Sequence, residues 1–145
     1  MKKSLLLLVL ATILASCKPF DQETVSRQNR SEIDLSNLKA KTLKNAVISG
    51  GEIQRIDSFP SQYVSSRPVD IWLPNKYSKD KTYSVLYMHD GQNLFDATNT
   101  ENKQEWMVDE IATKLMDDGD VREFIVVGIH SIPKTRWKDL FRKKL

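Results

Sequence analysis

The sequence predicts an α/β fold, and two apolar runs with one amphipathic segment between them carry that prediction. Tyr83–Met88 and Phe124–Ile129 are continuous apolar stretches with polar residues on either side. Strands buried on both faces, in a parallel sheet covered by helices, have this pattern. Between them Val108, Ile111, Ala112, Leu115 and Met116 recur at i, i+3, i+4, i+7 and i+8, which is one face of a helix. Strand, loop, helix and strand in that order predict a right-handed parallel crossover.

Each element has its punctuation. Residues 42–59 form a first strand region, broken at Gly50-Gly51 and without a clean polar or apolar face. Val69–Leu73 alternates apolar and polar as far as Trp72, between Pro68 and Pro74. Asn75–Thr82, with Asn, Ser, Asp and Lys, is a turn. Asn102 and Glu105 have the spacing of a capping box ahead of the helix, and Gly119 suits the left-handed position after it.

Composition bounds the rest. The 145 residues are 40% hydrophobic and 28% charged, with three Trp, four Tyr and five Phe, which is the make-up of a globular chain. A formal charge of +3 is too weak to predict nucleic-acid binding. No apolar run is long enough to span a bilayer.

The N-terminus is a separate case. Met1-Lys2-Lys3 is a basic start, and Leu5–Leu14 has the length of a signal-peptide core. It leads into Leu14-Ala15-Ser16-Cys17, which resembles the lipobox of bacterial lipoproteins. That resemblance implies that residues 1–16 are a signal peptide and that Cys17 is the lipidated first residue of the mature chain. The anchor would then be stable, because several acyl chains each add about 0.8 kcal/mol per buried CH₂. The resemblance implies a membrane of the bacterial cell envelope as the partner, with Lys18 favouring the outer membrane. Cys17 is the one Cys of the chain, so no disulfide can form within one copy. Loss of Lys2 and Lys3 brings the mature chain close to neutral. Residues 17–41 are polar without sustained period and read as a tether, which leaves 42–145 for the folded part.

The strand ending at Met88 runs into His89-Asp90-Gly91-Gln92-Asn93, at the strand end where α/β sheets place ligands. The segments Arg67–Pro74 (RPVDIWLP), Tyr83–Phe95 (YSVLYMHDGQNLF) and Ile125–Ile129 (IVVGI) together resemble an esterase family of α/β-hydrolases. Enterochelin esterases and the feruloyl and acetyl-xylan esterases of carbohydrate esterase family one belong to it. The likeness covers roughly residues 45–140, and His89–Asn93 is its most specific part.

The resemblance implies an α/β-hydrolase fold and hydrolysis of carboxylic esters by a Ser nucleophile. Acylated sugars or siderophore esters would be the substrates, with no cofactor. It also implies that the backbone N–H groups of Gly91 and Gln92 form half of an oxyanion hole, with His89, Asp90 and Asn93 lining the substrate side. The family's strand order puts the third strand between the fourth and the fifth, which would leave the outer edge of Tyr83–Met88 unpaired here.

The chemistry is incomplete within the sequence. No Ser stands between two glycines in the G-x-S-x-G spacing of a nucleophile elbow, and no acid and His follow one. His130 and Ser131 are neighbours on an extended chain and point to opposite faces, so they do not form a dyad. Two His and a lone Cys support no zinc site, and no metal is expected. Asp109-Glu110 and Asp117-Asp118 read as solvated charge on the helix surface. From Arg142 the sequence departs from the family pattern, so the expectation is an α/β-hydrolase cut short before its triad. The alternative expectation is a non-catalytic, membrane-tethered binding module.

Overall fold

The computed structural model describes residue 33 and residues 35–140, with side chains as far as Lys138. The predicted signal peptide, Cys17 and most of the predicted tether lie outside the described residues. The predicted α/β character is present as a mixed five-stranded sheet with few helices. In chain order the strands are β1 (Lys41–Thr42), β2 (Glu52–Phe59), β3 (Arg67–Leu73), β4 (Ser84–His89) and β5 (Phe124–Ile129). The helices are α1 (Val108–Asp117) and the short α2 (Arg136–Leu140). The spatial order is β1-β2-β3-β5-β4. Antiparallel pairing joins β1 through β3 to β5, and β5 pairs in parallel with β4. The strand–helix–strand unit is therefore the parallel crossover that the sequence predicts.

The first strand region is two strands, not one. At the Gly50-Gly51 break, Gly51 has φ +80, and a Cβ there would lie 2.4 Å from the Leu73 carbonyl and 2.6 Å from Trp72 Nε1. The bare backbone lets the Trp72 indole donate to the Gly50 carbonyl at 2.8 Å. Trp72 is wholly buried, and it packs with Ile53, Leu94, Phe95, Ala112 and Val126 in the core on one face of the sheet. Its indole N–H would otherwise be a buried donor without a partner.

The helix starts later than a capping box would place it. Asn102 accepts from the Gln104 N–H, Glu105 accepts from the Met107 N–H, and the N-cap is Met107 in the left-handed region at φ 54. The C-terminus follows the sequence. Gly119 has φ +80, its N–H reaches the Met116 carbonyl, and the Asp120 N–H reaches Leu115, which together form a Schellman motif. Of the predicted apolar face, Ala112 is buried, Val108, Leu115 and Met116 are half-buried, and Ile111 is exposed.

The expectation that both apolar runs are buried on both faces holds only in part. β5 lies inside the sheet, with Val126 and Gly128 buried. β4 is an edge strand, and Val85, Leu86 and Tyr87 are exposed. An edge strand has one neighbour, so half of its surroundings are missing. The edge itself agrees with the unpaired edge that the strand order implies. Opposite the core, Ile56, Val69, Ile71, Val127, Ile129 and Tyr87 line an apolar groove of about 490 Å³. No helix among the described residues is long and apolar enough to cross a membrane.

Candidate active-site loop

The backbone turns sharply where β4 ends. His89 is the last strand residue and is exposed. Asp90 adopts the left-handed conformation at φ 56, ψ 44, and Gly91–Asn93 form a 3-10 turn. Few residues other than glycine tolerate that region, and Asp is among them because its short side chain bonds locally. The Asn93 N–H closes the turn on the Asp90 carbonyl at 2.8 Å. The N–H groups of Gly91 and Gln92 stand ahead of that first internal bond, as opening donors of a helical turn do.

Several contacts fix the turn. The Arg136 guanidinium reaches back to Asp90, Nε to Oδ1 at 2.9 Å and Nη2 to Oδ2 at 2.6 Å. This bidentate pairing holds the Asp90 carboxyl down at about 2, with smaller help from Ser131 and Gln92. The Gln92 amide forms a second clamp. Its Nε2 donates to Ser131 Oγ at 2.8 Å, and its Oε1 accepts from the Ser131 N–H at 3.0 Å. Gly91 meets Gly128 of β5 backbone to backbone, where a Cβ on Gly91 would lie 2.6 Å from the Gly128 carbonyl. The third contact on that imagined Cβ is the His130 ring, 2.8 Å away.

His130 is itself held from behind. Its Nε2 lies 2.7 Å from Asp70 Oδ2, and an ionised carboxylate only accepts, so the ring donates. Arg55 completes the arrangement, with Nε and Nη2 on the two Asp70 oxygens at 2.6 and 2.7 Å. Arg55 and Asp70 are directly opposed across β2 and β3. Burial pushes the Asp70 carboxyl up, but the bonds from Arg55 and His130 outweigh it and the net shift is downward. Arg55, Asp70, Gly91, Gln92, Asp96 and Asn99 are among the residues around a recess of about 30 Å³, which has room for a water.

The sequence-predicted site residues therefore fall at one strand end. Gly91 is buried against β5, and Gln92 is half-buried and clamped to Ser131. Asp90 has both carboxylate oxygens on Arg136. Asn93 uses its carbonyl to accept from the Trp106 N–H at 2.8 Å. His130 and Ser131 diverge to Asp70 and Gln92, as adjacent residues on an extended chain must. Sequence reasoning missed the Arg55–Asp70–His130 chain. Its signal was an Asp inside a strand of otherwise apolar residues.

One correction concerns the acidic pairs. Asp109 is not on the solvated helix surface; it is fully buried. Its Oδ2 accepts from the Ser49 N–H at 2.7 Å, and burial is the main reason its carboxyl is pushed up to about 6.

A family model described as "Putative esterase" matches residues 61–141, more than half of the chain. The chain belongs to this esterase family. Among solved structures, it is similar to a serine-to-alanine mutant of the feruloyl esterase module from Clostridium thermocellum complexed with sinapinate, at 20% identity and TM-score 0.41. That match covers 63% of this chain and 31% of the other. A second structure, of a protein designated FAE, matches at 20% identity and TM-score 0.41, over 69% of this chain and 35% of its own. The chain thus spans about a third of the length of these structures.

Proposed function

We propose that residues 42–145 are the N-terminal part of an α/β-hydrolase domain that hydrolyses carboxylic esters, and that they supply half of its oxyanion hole. The observation that carries this reading is the rigid turn at the end of β4. Asp90–Arg136, Gln92–Ser131 and Gly91 on Gly128 fix where the first two N–H groups of the turn point. Preorganised donors of this kind stabilise the oxyanion of acyl transfer, because they need not reorganise as charge develops. In this reading the nucleophile-bearing strand pairs along the free edge of β4, and acylated sugars or siderophore esters are the substrate class.

The reading extends to the N-terminus. Cys17 carries the lipid, residues 17–41 tether the domain, and the protein is held at the bacterial envelope, with the outer membrane favoured by Lys18.

The test has two arms. Residues 1–145 contain no G-x-S-x-G serine, so the chain alone should give no phosphonate-sensitive turnover of p-nitrophenyl acetate. In a ¹⁵N-labelled chain, acetate as a product carboxylate should shift the Gly91 and Gln92 amide resonances before others. Turnover blocked by a serine-directed phosphonate would mean a nucleophile outside the elbow pattern. No shift at Gly91 or Gln92 would overturn the oxyanion assignment and leave the second reading, a tethered non-catalytic binding module.

A further inference from the structure

The turn at Gly91 has one more support, which reaches it from across the sheet. Arg55 on β2 donates through Nε and Nη2 to the two oxygens of Asp70 on β3. His130, just past the end of β5, donates from Nε2 to Asp70 Oδ2 at 2.7 Å. The other edge of that ring lies against the turn, where a Cβ on Gly91 would meet His130 Cδ2 at 2.8 Å. Arg55, Asp70, His130 and Gly91 thus form one chain, which starts on β2 and ends at the turn. Arg136 and Ser131 hold side chains of the turn, those of Asp90 and Gln92. Gly128 and His130 are what meets Gly91 itself.

Stability does not account for this chain. Asp70 shares with Trp72 the face of β3 that carries the core, and it is buried. Taking an ion pair out of water costs more than its attraction returns unless the geometry is good, and apolar residues of similar volume often serve as well or better. What a fully bonded polar chain adds is a single arrangement. Asp70 receives three donors, so the imidazole has one orientation, with Nε2–H on the carboxylate and Cδ2 towards Gly91. The main chain holds the same residue, because the His130 N–H donates to the Pro68 carbonyl at 3.0 Å. The ring is enclosed, with its side chain 11% exposed.

We propose that His130 is a positioning residue of the oxyanion turn. Asp70 and Arg55 orient its ring, and the ring sets where the Gly91 and Gln92 N–H groups point. This rests on the reading of Gly91 and Gln92 as oxyanion donors, and it adds a residue that touches no substrate.

The test reads the Gly91 and Gln92 amide resonances of the ¹⁵N-labelled full chain, first without ligand and then with acetate. His130→Leu fills the space but cannot donate to Asp70. It should displace both resonances and abolish their response to acetate. His130→Gln carries an amide N–H that can reach Asp70, and it should return the resonances and the response towards those of the unsubstituted chain. Asp70→Asn bonds to neither Gly91 nor Gln92, yet it should displace the same two resonances through the ring. In a double-mutant cycle that displacement should vanish once His130 is Leu. Gly119→Ala, which lies outside the chain of contacts, should leave both resonances in place. Equal effects of Leu and Gln at position 130 would make the ring a filler and overturn the proposal. So would an Asp70→Asn displacement that persists without His130, or no displacement at all. Asp70→Asn decides alone if His130→Leu does not fold. An unsubstituted chain that ignores acetate removes the oxyanion reading, whereas the ligand-free resonances still report whether His130 sets the turn.

Discussion

Arg136 holds both carboxylate oxygens of Asp90 across a separation of 46 residues, and so ties the segment after β5 to the turn after β4. The Asp90 side chain is 5% exposed and the Arg136 side chain 51%, so the acid is enclosed and the base lies at the surface. Removing Arg136 would leave a buried carboxylate without its charged donor. Arg136→Ala should lower the midpoint of urea unfolding. Arg136→Lys should recover only part of this, because an ammonium does not form the two-pronged contact.

The same pair sets an acid limit. The folded Asp90 value of about 2 lies below the ordinary 3.8, so between them the unfolded chain binds more protons. The stability from Asp90 is complete above about pH 4 and is lost as the pH falls towards 2. Arg136→Ala should flatten this acid limb in a pH series of unfolding midpoints.

Asp109 works in the opposite sense. Its folded value is raised to about 6, so between pH 4 and 6 the native state binds more protons than the unfolded one. Its contribution therefore falls as the pH rises through that window, by at most about 1.4 kcal/mol per pH unit for one proton. Asp109→Asn should remove this limb while its amide oxygen still accepts from the Ser49 N–H.

The contact between Gly91 and Gly128 is a test of crowding alone, since neither has the positive φ that favours glycine. Gly128→Ala would place its Cβ 2.8 Å from Leu94 Cδ1 and 3.1 Å from Gly91 Cα. The expected cost is about 1–3 kcal/mol. The amide resonances of Gly91 and Gln92 should move with it, whereas Gly119→Ala, with open space around it but φ +80, should cost stability and leave those resonances in place.

The open edge of β4 should govern solubility. Ser84–His89 contains no Lys, Glu, Asp or Pro that would discourage a second strand from pairing there. Tyr87→Lys, at a position 68% exposed, should lower concentration-dependent light scattering and change stability by no more than about 0.5 kcal/mol.

Much of this was legible in the sequence because it is local or periodic. The helix face around Ala112, the stop at Gly119 and the strand ends at Pro74 follow from spacing and backbone chemistry. The turn at Asp90-Gly91 was legible as a break after an apolar strand. What was hidden depends on distance along the chain. Asp109 looked like surface charge because nothing near it in sequence shows that the Ser49 N–H, 60 residues away, would bury it. Arg55 lies on β2, Asp70 on β3 and His130 just past the end of β5, and they meet only through the sheet register. The exposure of Val85 and Tyr87 was hidden in the other direction, because an apolar run reports what a strand can bury and not how many neighbours it has.

The pairing of Gly91 with Gly128 has a consequence for how the loop tolerates change over time. The turn is seated on the main chain of β5 and not on any side chain there. Substitutions at Val127 or Ile129 alter the groove on the far face without touching that seat. Sequence drift can therefore remodel what the groove accommodates while the turn keeps its place, so long as those two positions stay without a side chain.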